Sequence, residues 1–459
     1  MIVFSSRPVK PFRDAGVWPT EPMKRPLASS PVLLSLAAAL LLLCATISSF
    51  GQTPPGQAPP APKQSLLATA DDLLREMSRT TGLPIRAPLQ KQILSRAEIR
   101  KYLEESLREE YTPQEIHAQE SVLKAFGLVS REFDLPKFLL NFYTEQAAGA
   151  YDPRRKTMFI ADWPSEEMQK MILAHELTHA LQDQSFDLEE FVHAARANDD
   201  ATNARQAVVE GYAMAAMMQH LVEPVELASL PSLEPMMAGI IHQRLEEFPA
   251  FSNAPFFFRM LALFPYVQGM GFMQRGLEQG GWEKLNSLFT RPPTTTKEIF
   301  EPAVYLDEKP LPEISLPRPA PLAGAAGLRL LTENTLGELG YYALLGQSIS
   351  EDEAKTVATG WLADRYLLYE GADASQFALV ARTRWSSPET ALAFFRDYHT
   401  ILAHKYPELT SDKRSAADLF IGSAANGQVI LLRKGDEVAW AEGVPTARTE
   451  ALLKFLGAF

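Results

Sequence analysis

Two histidines and a glutamate in the segment ILAHELTHALQDQ (172–184) have the spacing of a metal-dependent hydrolase. His175 and His179 are four residues apart, so on an α-helix their imidazoles project from one face. Both can then reach one ion at the 2.0–2.1 Å typical of zinc–nitrogen bonds. Glu176 is rotated away from His175 around the helix and can instead take a proton from a water on the metal. The spacing predicts a zinc site with Glu176 as general base. A helix whose histidines bind backbone carbonyls, without metal, is the competing interpretation.

A lone acidic residue further along the chain is the candidate third ligand. Glu210 stands in the otherwise apolar stretch AVVEGYAMAAM, which follows a capping cluster at Asn198–Asp200 and has helical character. A carboxylate on an apolar helix face is unfavourable unless it is paired or bound to a metal. Gly211 directly follows it and would let this helix approach the first one closely. We therefore expect Glu210 to complete the protein ligands of the zinc.

Local signals define the elements that position these residues. Ser165 can cap a helix whose first turn carries two glutamates, favourable at the positive end of the helix dipole. This helix is expected to run through HELTH to about Gln184. The preceding segment TMFIA (157–161) reads as a strand after the turn that begins at Asp152-Pro153. Strand, zinc helix and glutamate helix therefore follow one another along the chain.

These residues resemble a known group of enzymes. HELTHALQD resembles the zinc-binding helix of the gluzincin metallopeptidases. Together with the downstream VEG-A, HELTHALQDQ also resembles a group of exported bacterial proteins predicted to be zinc peptidases, and the segments YTEQAAGAYDP and FPYVQG resemble segments that this group has in the same order. The strongest resemblance covers about 140–215. It implies one Zn²⁺ per chain on His175, His179 and Glu210, a water in the fourth position, and Glu176 as catalytic base. A peptide or protein would be the substrate, cut as by an endopeptidase, with TMFIA as the sheet edge that pairs with it.

The sequence departs from the gluzincin pattern in one place and leaves one role open. Where the family has an aspartate supporting a zinc histidine, this chain has Met214. Asp183 and Asp199 are candidate replacements, although both could equally cap or solvate helix ends. A group that stabilises the oxyanion is also expected, and the sequence does not choose among its candidates. These are Tyr151, Tyr212, Tyr266 and His242.

The chain of 459 residues divides by composition into five segments, and the fold class is α+β. They are a signal peptide (1–51), a Pro-rich linker (52–64), a mainly helical zincin-like domain with a small sheet (65–307), a second Pro-rich linker (308–327) and a smaller α/β domain (328–459). The last reads as strands and helices in the order ββαββα. The apolar run FFFRMLALFPYVQGMGFM is interrupted by Arg259 and Pro265, which predicts a buried helix pair. Both linkers are expected to be solvated spacers.

The N-terminal segment predicts export. PVLLSLAAALLLLCATISSF supplies a short apolar core, and small residues precede a possible cleavage before Gln52. An uncleaved signal anchor is the alternative; after cleavage no stable membrane span is expected. Cys44 is the only cysteine and lies in this core, so the mature chain forms no disulfide. The net charge of −12 and the absence of a basic run argue against nucleic acid as a partner.

The leading functional hypothesis is zinc-dependent peptide hydrolysis by a periplasmic, secreted or envelope-associated enzyme. The alternative is a catalytically weak or inactive zincin-like scaffold of the envelope whose C-terminal domain binds partners. Base and candidate ligands occur together, which favours catalysis. The sequence does not indicate the substrate or the oligomeric state.

Overall fold

The structure is a computed structural model that describes residues 63–244, 248–323, 325–373 and 376–459. The predicted signal peptide and most of the first linker lie outside these residues. Within residues 63–244 and 248–307 the structure has twelve α-helices and three strands: α1 (Lys63–Thr81), β1 (Gln90–Leu94), α2 (Arg96–Glu110), α3 (Pro113–Phe126), α4 (Leu135–Gln146), β2 (Gly149–Asp152), β3 (Thr157–Ala161), α5 (Glu166–Phe186), α6 (Leu188–His193), α7 (Asp199–Val222), α8 (Glu234–Arg244), α9 (Pro249–Ser252), α10 (Phe256–Ser287), α11 (Thr296–Phe300) and α12 (Pro302–Leu306).

Helices α5 and α7 lie at the centre of this part. The Ser165 side chain caps α5 by accepting from Met168 N, and the Asn198 side chain caps α7 by accepting from Ala201 N. Both helices are buried on nearly every side in their middle turns, which is the pattern of core helices enclosed by other elements. They pack against each other and both contact α1. Residues 175–179 and 210 therefore lie in the interior.

Helix α10 continues through Pro265, contrary to the helix pair predicted there. The interruption comes later, at Gly280 and Gly281, where Gly281 has φ 61° and ψ −157°, a conformation that only glycine adopts readily. Extensive packing of α10 against α7 offsets the hydrogen bond that Pro265 cannot make. Within the described ranges, α10 alone is long and apolar enough to cross a membrane, and 56% of its most apolar window is buried inside the protein.

The small sheet has the order β1-β3-β2, so TMFIA is its central strand. The expectation that TMFIA forms the edge of the sheet is wrong, because β1 pairs with it in parallel on one side and β2 pairs antiparallel on the other. The edges are β1 and β2. Any strand-like pairing of a substrate with this sheet has to use one of them.

The C-terminal part is a seven-stranded sheet with helices, which confirms the α+β class. Its elements are β4 (Arg329–Asn334), α13 (Gly337–Leu345), α14 (Glu351–Ala358), β5 (Trp361–Glu370), β6 (Phe377–Trp385), α15 (Pro388–Lys405), β7 (Thr410–Ser411), β8 (Leu419–Ala424), β9 (Gly427–Lys434), β10 (Glu437–Val444) and α16 (Thr449–Leu456). The strand order is β4-β5-β6-β10-β9-β8-β7. The predicted ββαββα pattern lacked β4, β7 and β8, three short strands that gain their structure from long-range pairing.

The segment 308–327, expected to be a solvated spacer, packs against the C-terminal sheet. Leu316 and Leu322 are buried there with side chains of β5, β6 and β10. Arg382 also donates to the carbonyl of Ser315. The opposite face of the sheet shares one continuous apolar core with the helical part. The apolar side chains of the segment explain why it packs despite its prolines.

Candidate metal centre

The structure brings His175, His179 and Glu210 together at one point. The Nε2 atom of His175 lies 3.0 Å from Nε2 of His179 and 3.0 Å from Oε2 of Glu210. His179 Nε2 lies 3.2 Å from the same carboxylate oxygen. All three residues are buried, and among the described residues they are the only group of this kind that could hold a metal ion.

These separations suit a tetrahedral ion. Three atoms bound to zinc at 2.0–2.1 Å with tetrahedral angles are about 3.3–3.4 Å from one another, and the three atoms here are 3.0–3.2 Å apart. The second oxygen of Glu210 and the Nδ1 atom of His175 have no hydrogen-bond partner. Two imidazole nitrogens and one carboxylate oxygen form a donor set that zinc accepts. The residues therefore fit the metal that the sequence predicts.

The electrostatics of the three groups favour a positive charge among them. Burial lowers the pKa of His175 to about 4. Burial would lower the pKa of His179 too, but the Glu210 carboxylate raises it to about 9. Although burial opposes it, the positive charge on His179 holds the pKa of Glu210 below its usual range. Either a proton or a metal cation can supply positive charge at this position.

Glu176 is held in place with one oxygen left available. Its Oε2 atom accepts a hydrogen bond of 2.7 Å from the backbone N–H of Tyr151 on β2. Its Oε1 atom is buried and has no hydrogen-bond partner. Burial raises the pKa of Glu176 to about 7. A carboxylate with this pKa and one unused oxygen is suited to accept and return a proton near neutral pH.

The approach of β2 to α5 depends on Gly149. A Cβ atom at this position would lie 2.5 Å from the side chain of Ile172 and 3.4 Å from that of Glu176. Any larger residue would therefore push the strand away from the helix. The Tyr151 hydroxyl also donates to Asp183 on the same helix at 2.6 Å. Strand and helix are thus joined at both ends of the segment that carries the two histidines.

Gln182, which was not predicted from the sequence, is the residue that orients the candidate ligand His179. The amide oxygen of Gln182 lies 2.8 Å from Nδ1 of His179, and the amide nitrogen donates to the carbonyl of Val209 at 3.0 Å. The two candidates named from the sequence are wrong. Asp183 binds Tyr151 and Lys156, and Asp199 binds Asn334 in the C-terminal part. The spacing of three residues from His179 is the signal that could have identified Gln182.

The four candidate oxyanion partners occupy different surroundings. The hydroxyl of Tyr151 is bound to Asp183, and that of Tyr212 donates to Asn286 at 2.7 Å. The side chain of His242 lies outside the described residues. Tyr266 is buried beside His175, and their ring centroids are 6.0 Å apart.

A cleft of about 90 Å³ leads to the metal centre, with His179 and Glu210 among its lining residues. Arg154, on the turn between β2 and β3, crosses it to form ion pairs with Glu110 of α2 and Glu189 of α6. The imidazole of His193 lies 3.1 Å from Glu110 as well. Within the lining, therefore, Arg154, Glu110 and Glu189 each already have a partner of opposite sign.

Comparison with protein families supports part of this picture. Residues 124–220 match the model of the IrrE N-terminal-like domain (peptidase M78), and residues 328–453 match a domain of unknown function (DUF8575). No curated protein and no solved structure matches the chain. The first match contains the three candidate metal ligands and the candidate general base. Residues 124–220 are thus similar to a zinc-metallopeptidase-like domain. In this chain, the same segment contains His175, Glu176, His179 and Glu210.

Proposed function

We propose that this protein is a gluzincin-type zinc endopeptidase that acts on peptide or protein substrates outside the cytoplasm. The observation that carries the proposal is one arrangement in the interior. Three candidate ligand atoms lie 3.0–3.2 Å apart, next to a buried glutamate that has an unused oxygen. A purely structural pair of helix histidines would not require that glutamate to be held by β2.

The residues divide the work of hydrolysis among them. His175, His179 and Glu210 would hold the zinc, and Gln182 would fix the orientation of the His179 ring. When bound, zinc lowers the pKa of a coordinated water towards about 7 and polarises a substrate carbonyl. Oε1 of Glu176 accepts the proton of the attacking water and then passes it to the amine of the leaving product. The backbone N–H of Tyr151 keeps the carboxylate aimed through both transfers.

The substitution Glu176→Gln tests the proposal. The variant keeps the shape of the side chain and all three metal ligands, so it is expected to contain one zinc per chain, as the wild type does. Hydrolysis of casein should fall by roughly 10²–10⁴-fold, the range for general acid–base catalysis. Glu167→Gln is the matched control, because Glu167 lies on the same helix and is exposed to solvent. Unchanged hydrolysis by Glu176→Gln would contradict the mechanism. Zinc without cleavage in the wild type would favour the envelope scaffold.

Export rests on the sequence of residues 1–51, whose apolar core and small residues are typical of a signal peptide. If the proposal is right, protein recovered from the envelope or medium of an expressing bacterium begins at Gln52. Recovery of the full-length chain in the cytoplasm would contradict it. Retention in the membrane with an intact N-terminus would instead favour the signal anchor.

A further inference from the structure

An arginine side chain crosses the cleft that leads to the metal centre. Arg154 stands on the turn between β2 and β3, and its guanidinium forms ion pairs with Glu110 of α2 and Glu189 of α6. All three residues line the cleft, together with the candidate metal ligands His179 and Glu210. The guanidinium of Arg154 therefore lies in a space that is continuous with the metal centre.

The backbone of this turn is held by contacts that do not involve the Arg154 side chain. Oδ1 of Asp152 accepts hydrogen bonds from the backbone N–H groups of Arg154 and Arg155 at 2.8 and 2.9 Å. Oδ2 of Asp152 accepts from the hydroxyl of Tyr102 at 2.9 Å and from the guanidinium of Arg155 at 2.7 Å. The side chain of Arg154 is 31% exposed. It can therefore leave the cleft by rotation about its own bonds while the turn stays in place.

The carboxylate of Glu110 depends on a cation in the cleft. Its side chain is only 4% exposed, and its Oε2 atom forms the ion pair with Arg154. Its Oε1 atom lies 3.1 Å from Nε2 of His193 and 3.9 Å from Nη1 of Arg196, a residue that Glu115 binds more closely at 2.8 Å. A buried carboxylate is unfavourable without a partner of opposite charge. Departure of Arg154 would therefore favour the entry of another cation at Oε2.

The two walls of the cleft match a guanidinium better than an ammonium group. Nη2 of Arg154 contacts Glu110 on one wall, and Nε lies 3.2 Å from Glu189 on the other, so two nitrogens of one planar group reach two carboxylates. A lysine side chain offers a single nitrogen and cannot reproduce this geometry. The hydroxyl of Ser106 lies in the same lining, buried and without a well-formed hydrogen bond. It offers an acceptor for a further N–H group of an incoming guanidinium.

We propose that Glu110, Glu189 and Ser106 form a subsite for an arginine side chain of the substrate, and that Arg154 fills this subsite until the substrate displaces it. The inference rests on the proposed peptidase function and adds a substrate class to it, namely peptides and proteins with arginine near the cleaved bond. The exchange is non-covalent, because one guanidinium replaces another between the same two carboxylates. Arg154 thereby competes with every substrate, and an arginine side chain displaces it more readily than lysine or a neutral residue.

Binding of methylguanidinium tests the subsite without any hydrolysis. Arg154→Ala empties the space between Glu110 and Glu189, so ligand-observed NMR should show methylguanidinium bound roughly tenfold or more tighter than in the wild type, the effect of hydrogen bonds to charged groups. Methylammonium should bind this variant more weakly than methylguanidinium. Arg108→Ala is the matched control, because Arg108 is an exposed arginine of α2 that pairs with Glu104 at 2.6 Å. Equal binding of methylguanidinium by the two variants would overturn the inference.

Peptide hydrolysis tests the substrate class and separates this inference from the proposed function. In a set of peptides, arginine is moved through each position of one sequence and replaced in turn by citrulline, which keeps the shape of arginine without its charge. At one position, the wild type should cleave the arginine peptide with a kcat/KM roughly tenfold or more higher than the citrulline peptide. Arg154→Ala should raise kcat/KM for that arginine peptide further, because the competing side chain is gone.

The outcomes of the two experiments are distinguishable. Equal kcat/KM for arginine and citrulline peptides at every position, in both proteins, would overturn the arginine subsite and leave the proposed peptidase function intact. If the wild type cleaved no peptide while Arg154→Ala still bound methylguanidinium selectively, the proposed function would be overturned and the guanidinium subsite supported.

Discussion

The crossing of α7 and α10 can be tested by adding one methyl group at Gly211. In Gly211→Ala the new Cβ atom would meet the C, O and Cα atoms of Gly269 at 2.5, 2.6 and 2.8 Å. Carbon atoms pack favourably at about 3.5–4.0 Å, so the helices must separate by roughly 1 Å. The contacted atoms belong to the backbone and cannot turn aside.

The expected magnitude follows from two opposing effects. Overpacking of a core typically costs about 1–3 kcal/mol. Alanine is favoured over glycine within a helix by up to about 1 kcal/mol, which offsets part of this cost. A net loss of about 1–2 kcal/mol corresponds to a decrease in Tm of roughly 1–2 °C for a chain of this size. Because Glu210 adjoins Gly211, the affinity for zinc should fall as well.

Scanning calorimetry and competition with a chromophoric zinc chelator measure both effects. Gly239→Ala is the control: Gly239 lies on helix α8, and a Cβ atom there would have no neighbour within 4 Å. That variant should be as stable as the wild type or slightly more stable. If Gly211→Ala matched the wild type in both Tm and zinc affinity, the close crossing could not be what positions the site.

Two further predictions concern a ligand's support and a buried acid. Gln182→Leu removes the hydrogen bond to His179, so the affinity for zinc should fall by about 10–100-fold. Gln184 lies on the same helix, but its amide binds the backbone of residues 86 and 87. Gln184→Leu should therefore leave the affinity for zinc unchanged. Equal affinities of the two variants would refute the role of Gln182. Burial raises the pKa of Asp200 to about 7, so the native state binds more protons than the unfolded state, and stability should fall as pH rises from about 4 to about 7. In Asp200→Asn, the free energy of unfolding measured with urea should change less between about pH 4 and about pH 7 than in the wild type, by on the order of 1–3 kcal/mol. An unchanged pH dependence would contradict the raised pKa of Asp200.

The contacts of Asp200 explain why asparagine is a suitable replacement. Oδ1 of Asp200 accepts from the backbone N–H and the hydroxyl of Thr296 at 2.9 and 2.5 Å. The amide oxygen of asparagine can accept the same two bonds. Glu338 and Asp364 lie nearby, and burial raises their pKa values to about 8 and about 6. Both acids also make the free energy of unfolding depend on pH. The Asp200→Asn substitution therefore removes only the part of this pH dependence that Asp200 contributes.

The metal centre was accessible to sequence analysis because its signals are local. The interval from His175 to His179 is about one helical turn, and Glu210 is an acidic residue in an apolar helix. Each pattern can be recognised from a few neighbouring residues. Contacts between distant segments were not accessible in the same way. Tyr266 lies beside His175 because α10 packs against α7, and the close approach of Gly211 to Gly269 joins residues more than fifty positions apart in the sequence.

The errors about the fold have a similar cause. TMFIA has the composition of a strand, but its central place depends on β1, which joins it from 67 positions earlier, as in the pair Gln90 and Thr157. The break expected at Pro265 occurs at Gly280 and Gly281 because packing on α7 maintains the helix through the proline. Short strands such as β8 are specified mainly by their neighbours, which a single sequence does not reveal.

Zinc K-edge X-ray absorption of the purified protein tests the central claim most directly. If His175, His179 and Glu210 hold the metal, the spectrum shows a four-coordinate ion with two imidazole nitrogens at 2.0–2.1 Å and oxygen at about 2.0–2.2 Å. Glu210→Gln should weaken zinc binding, and Glu176→Gln should leave the spectrum nearly unchanged. A purified protein without zinc, a six-coordinate shell of oxygen atoms alone, or a spectrum unaffected by loss of His175 and His179 would contradict the account.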